Sequence, residues 1–236
     1  MIEIKGIHKT FGRQLVLKNI DLSLQKGACI ALVGPNGCGK TTLIKSILGL
    51  VIPDCGSIEV CGIPVRDSFL YRRKIGYMPQ IGRYPDNMTL GQVLELIKGV
   101  RGADQILDDT FMREYKLYDI MNKRMNVLSG GTTQKVSAAL AFLFDPEIAI
   151  LDEPTAGLDP VAAEIFKEKI VKEKERGKLI LISSHLLGEM DDYVSEVIFM
   201  QDGTLAFHKR KDDLLEMTHE LRLSSAIAKV LRSGSQ

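Results

Sequence analysis

The residues with the plainest chemical purpose are "GPNGCGKT", Gly34 to Thr41. Gly34, Gly37 and Gly39 let backbone amides converge on phosphate oxygens, Lys40 brings a positive charge to the β- and γ-phosphates, and the Thr41 hydroxyl is a ligand for Mg2+. Pro35, Asn36 and Cys38 complete the loop, and Thr42 helps hold the phosphate end. The apolar run "CIALV" precedes the loop and a helical pattern follows it, so a helix N-terminus adds its positive end to the site. A second group is "EIAILDEP". Asp152 ends a buried run, where a carboxylate is costly unless it meets a partner or a metal, and it is expected to reach Mg2+ beside Thr41 through a water. Glu153 points the other way if strand geometry persists, which suits it to orient a water at the γ-phosphate. His185 ends the next apolar run, "LILISSH", and is expected to contact the γ-phosphate and keep Glu153 and the water in register. Gln80 ends "IGYMPQ" at the edge of the site and suits a relay between the metal and whatever docks nearby.

Far downstream of the first glycine loop comes another, "NVLSGGTTQK". The Ser129 hydroxyl and the amides of Gly130 and Gly131 sit at the start of a helical stretch and also suit a phosphate. A chain with two such turns, widely separated, needs an explanation for the second.

The elements that position these groups can be read from hydrophobic period. "CIALV", "EIAILDEP" and "KLILISSH" are continuously apolar, as strands of a parallel sheet covered on both faces should be. "IEIKGIHKTF" and "LKNIDLSLQKG" alternate, which predicts antiparallel strands covered on one side. "GSIEVCG" and "RKIGYMPQ" add two short strands, and "VSEVIFMQDGTLAFH" a hairpin around Asp202-Gly203. Leu43, Ile47 and Leu50 give the apolar spacing of the helix after the loop. From about 86 to 128 there is no strand pattern; "TLGQVLELIKGV", capped by Thr89, and "DQILDDTFMREYKL" are predicted helices of an insertion. The tail, about 210–236, is predicted to form two short helices and a frayed end. The fold class expected is α/β: a P-loop NTPase core with an N-terminal antiparallel β-subdomain and a helical insertion, one domain over 1–236.

Composition excludes some classes. The chain has 236 residues, 45% hydrophobic and 26% charged, enough to bury a sizeable core, and a net charge of +1 gives no electrostatic case for nucleic acid. No apolar run approaches the roughly 18 residues of a bilayer span, and "MIEIKGIHKTFG" lacks the apolar centre of a signal peptide, which predicts a cytoplasmic protein. Cys29 is expected to be a buried small hydrophobe, and Cys38 a space-filler that is open to oxidation if its thiol is accessible. Cys55 and Cys61 bracket "GSIEV", which is not a tight zinc spacing, and strand-end packing is expected instead.

Taken in chain order, the pieces resemble the nucleotide-binding subunits of ABC transporters: P-loop Gly34–Thr41, Q-loop Gln80, signature "LSGG" at Leu128–Gly131, Walker B Asp152 and Glu153, D-loop Gly157–Asp159 and switch His185. The resemblance covers the chain up to the tail. It implies ATP and Mg2+ as cofactors and a head-to-tail dimer with a second copy, the P-loop of one subunit and the signature of the other enclosing each ATP. It further implies Phe11 in "HKTFG" as the aromatic platform for adenine, where tyrosine is more frequent, and Asp159 as a coupling residue across the interface. An integral membrane permease would set a short coupling helix on the insertion near "GRYPDNMT", with Tyr84 and Met88 in the groove. Thr132 departs from the family pattern, which most often has glutamine there, and Thr133 and Lys135 accompany it. The grip on phosphate stays with Ser129–Gly131, so the expected consequence is confined to closure and nucleotide preference.

With one nucleotide-binding domain and a short tail, the chain resembles a stand-alone bacterial subunit, held at the inner face of the membrane by a separate permease. The "VLKNIDLSLQKG" start and the "SSHLLGEMDDYVSEVIFMQDG" run resemble exporter-type subunits for drugs, sodium, polysaccharide or haem. They also resemble the ATPase of the copper-processing system that matures nitrous oxide reductase, toward which the overall similarity leans without a diagnostic residue. The alternative class is a soluble ABC regulator without a permease, which would be expected to carry a second nucleotide domain or a long coiled-coil insertion.

Overall fold

The structure, a computed structural model, describes residues 1–102, 107–184, 188 and 190–233. Among the described residues the strands are β1 (Ile2–Phe11), β2 (Gln14–Leu24), β3 (Cys29–Val33), β4 (Cys55–Val60), β5 (Ile63–Pro64), β6 (Ile75–Met78), β7 (Ile148–Asp152), β8 (Leu179–Ser183), β9 (Glu196–Gln201) and β10 (Thr204–Arg210). The continuously apolar runs become the centre of a six-stranded sheet in the order β10-β9-β3-β8-β7-β6. In it β9, β3, β8, β7 and β6 are parallel and β10 closes an antiparallel hairpin on β9. Their lack of alternation follows from burial on both faces: Cys29, Ala31 and Val33 enter one core, while Ile30 and Leu32 enter the other. Burial pushes the Cys29 thiol up to about 12, only partly offset by Lys174, so it is an inert hydrophobe there.

The alternating N-terminal segments form the second sheet, β2-β1-β4-β5, antiparallel throughout. Its apolar face, with Ile2, Ile4, Leu17 and Ile20, shares a core with α1 (Lys40–Ile47) and one face of the parallel sheet. Leu43 and Ile47 are buried as the spacing predicts. Leu50 is not: the helix ends at Ile47, and Leu50 lies beyond it, 60% exposed.

The other core is covered by α2 (Leu90–Arg101), α3 (Thr110–Glu114), α4 (Gly130–Phe142) and α5 (Pro160–Glu175), together with α6 (Lys211–Thr218) and α7 (Leu223–Ser233) from the tail. Thr89 caps α2 in a reciprocal box: its hydroxyl accepts from Gln92 N at 3.2 Å, and Gln92 Oε1 accepts from Thr89 N at 2.9 Å. The second helix of the insertion is much shorter than the pattern predicts. Asp108 turns the chain by accepting from Thr110 N, and Lys116 adopts a left-handed φ of 53°, after which the chain makes a 3-10 turn. Residues 103–106 of that prediction lie outside the described residues. Phe111 ties α3 to α4 and α5 through Phe142 and Phe166, with centroids 5.5 and 5.7 Å away. A buried ion network reinforces the tie: Lys169 pairs with Asp108 and, at 2.9 Å, with Glu173, which also meets Lys178 and Arg176. Burial alone would raise the Glu173 carboxyl, but the hydrogen bonds and charges of Lys169 and Lys178 hold it below the ordinary carboxylate range. Among the described residues no helix is long and apolar enough to cross a membrane.

Candidate nucleotide site

Parallel register brings the chemistry to one edge. Leu32 of β3 pairs with Ser183 of β8, and Ser183 pairs with Asp152 of β7, while Met78 of β6 pairs with Leu151. The C-terminal ends of β3, β8, β7 and β6 therefore present the glycine loop, Ser183, Asp152 and Glu153, and Gln80 along a single rim, the place where ligands bind in open α/β sheets.

The glycine loop is packed from behind by both sheets. Gly34 has φ 150° and Gly39 φ 108°. A Cβ at Gly34 would overlap the Met200 carbonyl oxygen at the end of β9, and one at Gly39 would lie 2.9 Å from the Val16 carbonyl oxygen of β2. Gly203 N donates to Cys38 O at 3.2 Å, fixing the loop to the β9–β10 turn. Cys38 is 4% exposed and part of the core, so it fills space as expected, and the access on which oxidation depended is closed by packing behind the loop. The front is open. Pro35, Asn36, Gly37 and Thr41 are exposed, Thr42 is half-buried, and nothing stands within 4 Å of a Cβ built on Gly37. Lys40 Nζ donates to the carbonyl oxygens of Gly34 at 2.7 Å and Pro35 at 3.2 Å, so a cation curls over a cradle sized for anionic oxygens.

Asp152 is 5% exposed and accepts a hydrogen bond from Ser183 Oγ. Tyr77 borders it on β6: burial first, and the Asp152 charge second, push its phenol up to about 12. Strand geometry does not persist into Glu153. Its φ is 50°, and its N–H donates to Ser183 O at 3.0 Å and to Ser183 Oγ at 3.3 Å, with Ala156 N closing a turn onto Glu153 O. The expectation that Glu153 faces away from Asp152 by strand alternation is thus corrected: a left-handed turn, not the pleat, aims it. The same hydroxyl, Ser183 Oγ, serves both acids. Gln134, 5% exposed on α4, donates to the Glu153 and Pro154 carbonyl oxygens at 3.4 and 3.3 Å and locks that turn from the other side. Ser183 and Gln134 were missed as site residues. The signal available was a hydroxyl at the end of the apolar run, the first serine of "SSH", and a polar residue on the apolar face of the helix after "LSGG".

Phe11 ends β1 at the tip of the β1–β2 hairpin, 49% exposed, with Lys9 Nζ 5.3 Å from its ring centroid. It is no core aromatic, and β2 of that hairpin carries Val16 against Gly39. Gln80 is exposed. His185 lies outside the described residues.

The hydroxyl of Thr41 and the carboxylate of Asp152 form a hard-oxygen set of the kind Mg2+ accepts, and the open loop front fits a polyphosphate. The second glycine turn opens α4. Ser129 caps α4, accepting from Thr132 N at 3.2 Å, and Gly131 lies against Gly157, whose carbonyl oxygen would be 2.8 Å from a Cβ. Lys135 on the same helix pairs with Asp159 at 2.6 Å, and Asp159 caps α5 by accepting from Ala162 N. Ser129 and Gly130 are exposed, and among the described residues no hydrogen bond or ion pair joins residues 129–131 to residues 34–42.

Comparison with known proteins follows this geometry. A family model described as ABC transporter matches residues 17–156. "Nod factor export ATP-binding protein I" of Burkholderia lata is 33% identical over 207 residues, which is 86% of this chain and 68% of that one. "Uncharacterized ABC transporter ATP-binding protein YhaQ" of Bacillus subtilis is 35% identical over 207 residues, 86% of this chain and 69% of that one. A solved "ATP binding subunit of ABC transporter" superposes with a TM-score of 0.89 at 28% identity over 98% of this chain and 99% of that one. A dimeric bacterial ABC transporter cassette shares the fold, with a TM-score of 0.78 at 24% identity over 89% of this chain and 98% of that one. A loop cradle, an acid pair at the sheet rim and this extent of similarity lead to one conclusion: the chain belongs to the ABC transporter family, as an ATP-hydrolysing member.

Proposed function

We propose that this chain hydrolyses Mg-ATP as one half of a head-to-tail pair of identical subunits and drives export through a separate membrane permease. The observation that carries the proposal is the isolation of the second glycine turn. Ser129 and Gly130 are exposed, Gly131 is half-buried against Gly157 of the D-loop, and among the described residues no hydrogen bond or ion pair joins them to the P-loop of their own chain. A phosphate-binding turn without a phosphate site beside it is completed by another copy.

Each residue then has a task. Backbone amides of Gly34 to Gly39 hold the phosphates, and Lys40 leaves the Gly34 and Pro35 carbonyl oxygens for the β- and γ-phosphate oxygens. Thr41 and, through water, Asp152 would hold Mg2+, with Gln80 at its edge. Mg2+, when bound, supplies neutralisation of charge on the phosphate oxygens. Glu153, fixed by Ser183 and Gln134 at its backbone, orients the attacking water, and His185 contacts the γ-phosphate. Phe11 stacks on adenine. Closure of Ser129–Gly131 over the γ-phosphate makes ATP part of the interface, and hydrolysis removes that contact.

Permease docking is assigned to a groove of about 350 Å³ beside Gln80, lined by Leu48, Leu50, Tyr77, Tyr84 and Ile97, with Arg72, Arg83 and Arg101 as its charged residues. Such a groove fits a short amphipathic segment with an apolar face and a carboxylate, seated at the inner face of the membrane. Met88 is not part of it and packs inward on the core. Export is supported by relatives named for Nod factor export. The narrower assignment to copper processing for nitrous oxide reductase maturation gains no support from them; a permease gene and a periplasmic β-helical copper partner encoded next to this one would assign it.

Glu153→Gln tests the core of the proposal. It is expected to abolish turnover while leaving an ATP-dependent dimer visible by size-exclusion chromatography; hydrolysis at the parent rate would remove Glu153 from its role.

A further inference from the structure

Thr132, where the signature departs from its usual residue, sits in a hydrogen-bond arrangement that bears on the contact between subunits. Its side-chain Oγ1 lies 2.9 Å from Ser129 Oγ, and either hydroxyl can donate. Ser129 Oγ also accepts from the Thr132 N–H at 3.2 Å. A serine hydroxyl has one proton and two lone pairs. With the amide on one lone pair, two arrangements remain. In the first, Ser129 gives its proton to Thr132 and has nothing to offer an outside acceptor. In the second, Thr132 donates to Ser129, both Ser129 lone pairs are filled, and the Ser129 proton turns to a third partner. An anion in front of the helix selects the second, because the two hydroxyls then polarise each other in one direction.

The neighbours of Thr132 do not compete for that task. Lys135 is committed to Asp159 at 2.6 Å and lies 5.8 Å from the Tyr115 ring centroid, so its charge is held to the side. Thr133 donates its N–H to Ser129 O, and among the described residues its hydroxyl has no bond to Ser129. Ser129 and Gly130 are exposed in front of α4, and the first amides of a helix have no acceptor within it.

We propose that Thr132 is a positioning residue for the contact between subunits: its hydroxyl donates to Ser129 Oγ and so turns the Ser129 proton outward, onto a γ-phosphate oxygen of ATP held by a second copy of this chain. The inference rests on the reading that Ser129–Gly131 close over the nucleotide of another copy. It identifies a threonine hydroxyl as the chain's own replacement for the usual glutamine.

The test uses the full chain with Glu153→Gln to block turnover, and reads the ATP-dependent monomer–dimer equilibrium by analytical ultracentrifugation. Adding Thr132→Val, which keeps the shape and removes the hydroxyl, is expected to weaken dimerisation by about tenfold or more. Thr132→Ser is expected to restore it to within about twofold, and Thr133→Val to leave it at the parent value. An unchanged dimer with Thr132→Val would overturn the proposal while leaving the dimer reading intact. So would equal weakening by Thr132→Ser or by Thr133→Val, since the cause would then be packing and not the hydroxyl. If Glu153→Gln alone forms no ATP-dependent dimer, both the reading and this inference fall.

Discussion

The two glycine turns of this chain use the same backbone chemistry in opposite settings. The P-loop is built into the core: β3 is fully buried, Gly34 abuts Met200, Gly39 abuts Val16, and the β9–β10 turn bonds to Cys38. The signature is held on the surface by side chains, through the Ser129 cap, the Thr132 hydroxyl and the Lys135–Asp159 ion pair. Hydrophobic burial and backbone hydrogen bonds fix the first turn whatever occupies it. Exposed polar contacts hold the second, each contributing little alone and each able to exchange for a new partner. The proposed engagement and release of nucleotide at the second turn would need contacts of that exchangeable kind.

The largest difference between the two turns is expected when one methyl group is added to each. Gly34→Ala should destabilise the protein by about 2–6 kcal/mol, from overlap with the Met200 carbonyl plus a backbone conformation that alanine resists, and ATP binding should fall with it. Gly130→Ala meets open space, so the thermal melt should stay at the parent value. Equal melting shifts in calorimetry would show that the two turns are held alike.

Acid should separate the two regions next. On and beside the helices packed around α4, Glu173 and Asp108 are held below the ordinary carboxylate range: burial opposes, and Lys169 together with Lys178 at Glu173 and with Thr110 at Asp108 outweighs it. Asp159 is lowered as well, chiefly by the Lys135 hydrogen bond. A carboxyl whose folded pKa is depressed stabilises the protein above its unfolded value, about 4, and that contribution is lost as pH falls through the lower folded value. Hydrogen exchange corrected for intrinsic rate should therefore show α3 and α5 losing protection below about pH 4 before β3 and α1 do. Simultaneous loss would mean that the ion network does not set the stability of the signature side.

The smallest expected effect falls at the rim of the P-loop. Phe11→Ala should cost ATP binding about 1–3 kcal/mol by loss of stacking, with no change in the melt because the ring is 49% exposed, whereas Phe11→Tyr should bind as the parent does. Calorimetric titration with ATP decides it, and unchanged affinity for Phe11→Ala would remove the residue from the site.

How much could be read in advance varied with the kind of pattern. Continuously apolar runs predicted β3, β7 and β8, because a strand buried on both faces has no polar alternative. The Thr89 cap was equally readable, being a local interaction between residues three apart. The stretch around Asp108 was not, since its helical composition yields to the Asp108–Lys169 ion pair, a partner sixty-one positions away in sequence. Leu50 matched a helical period but lines a surface groove, and periodicity alone does not distinguish a buried contact from an exposed one.

Sequence by itself determined the chemistry: which backbone can cradle phosphate, which acids stand at a strand end, and which hydroxyls are within reach, because those depend on residue type and short spacing. Tertiary structure alone decided their aim. Glu153 is directed by a left-handed turn pinned between Ser183 and Gln134, and Gly131 of the signature is set against Gly157 of the D-loop, because residues distant in the chain meet only when the sheet register and the helix packing are complete.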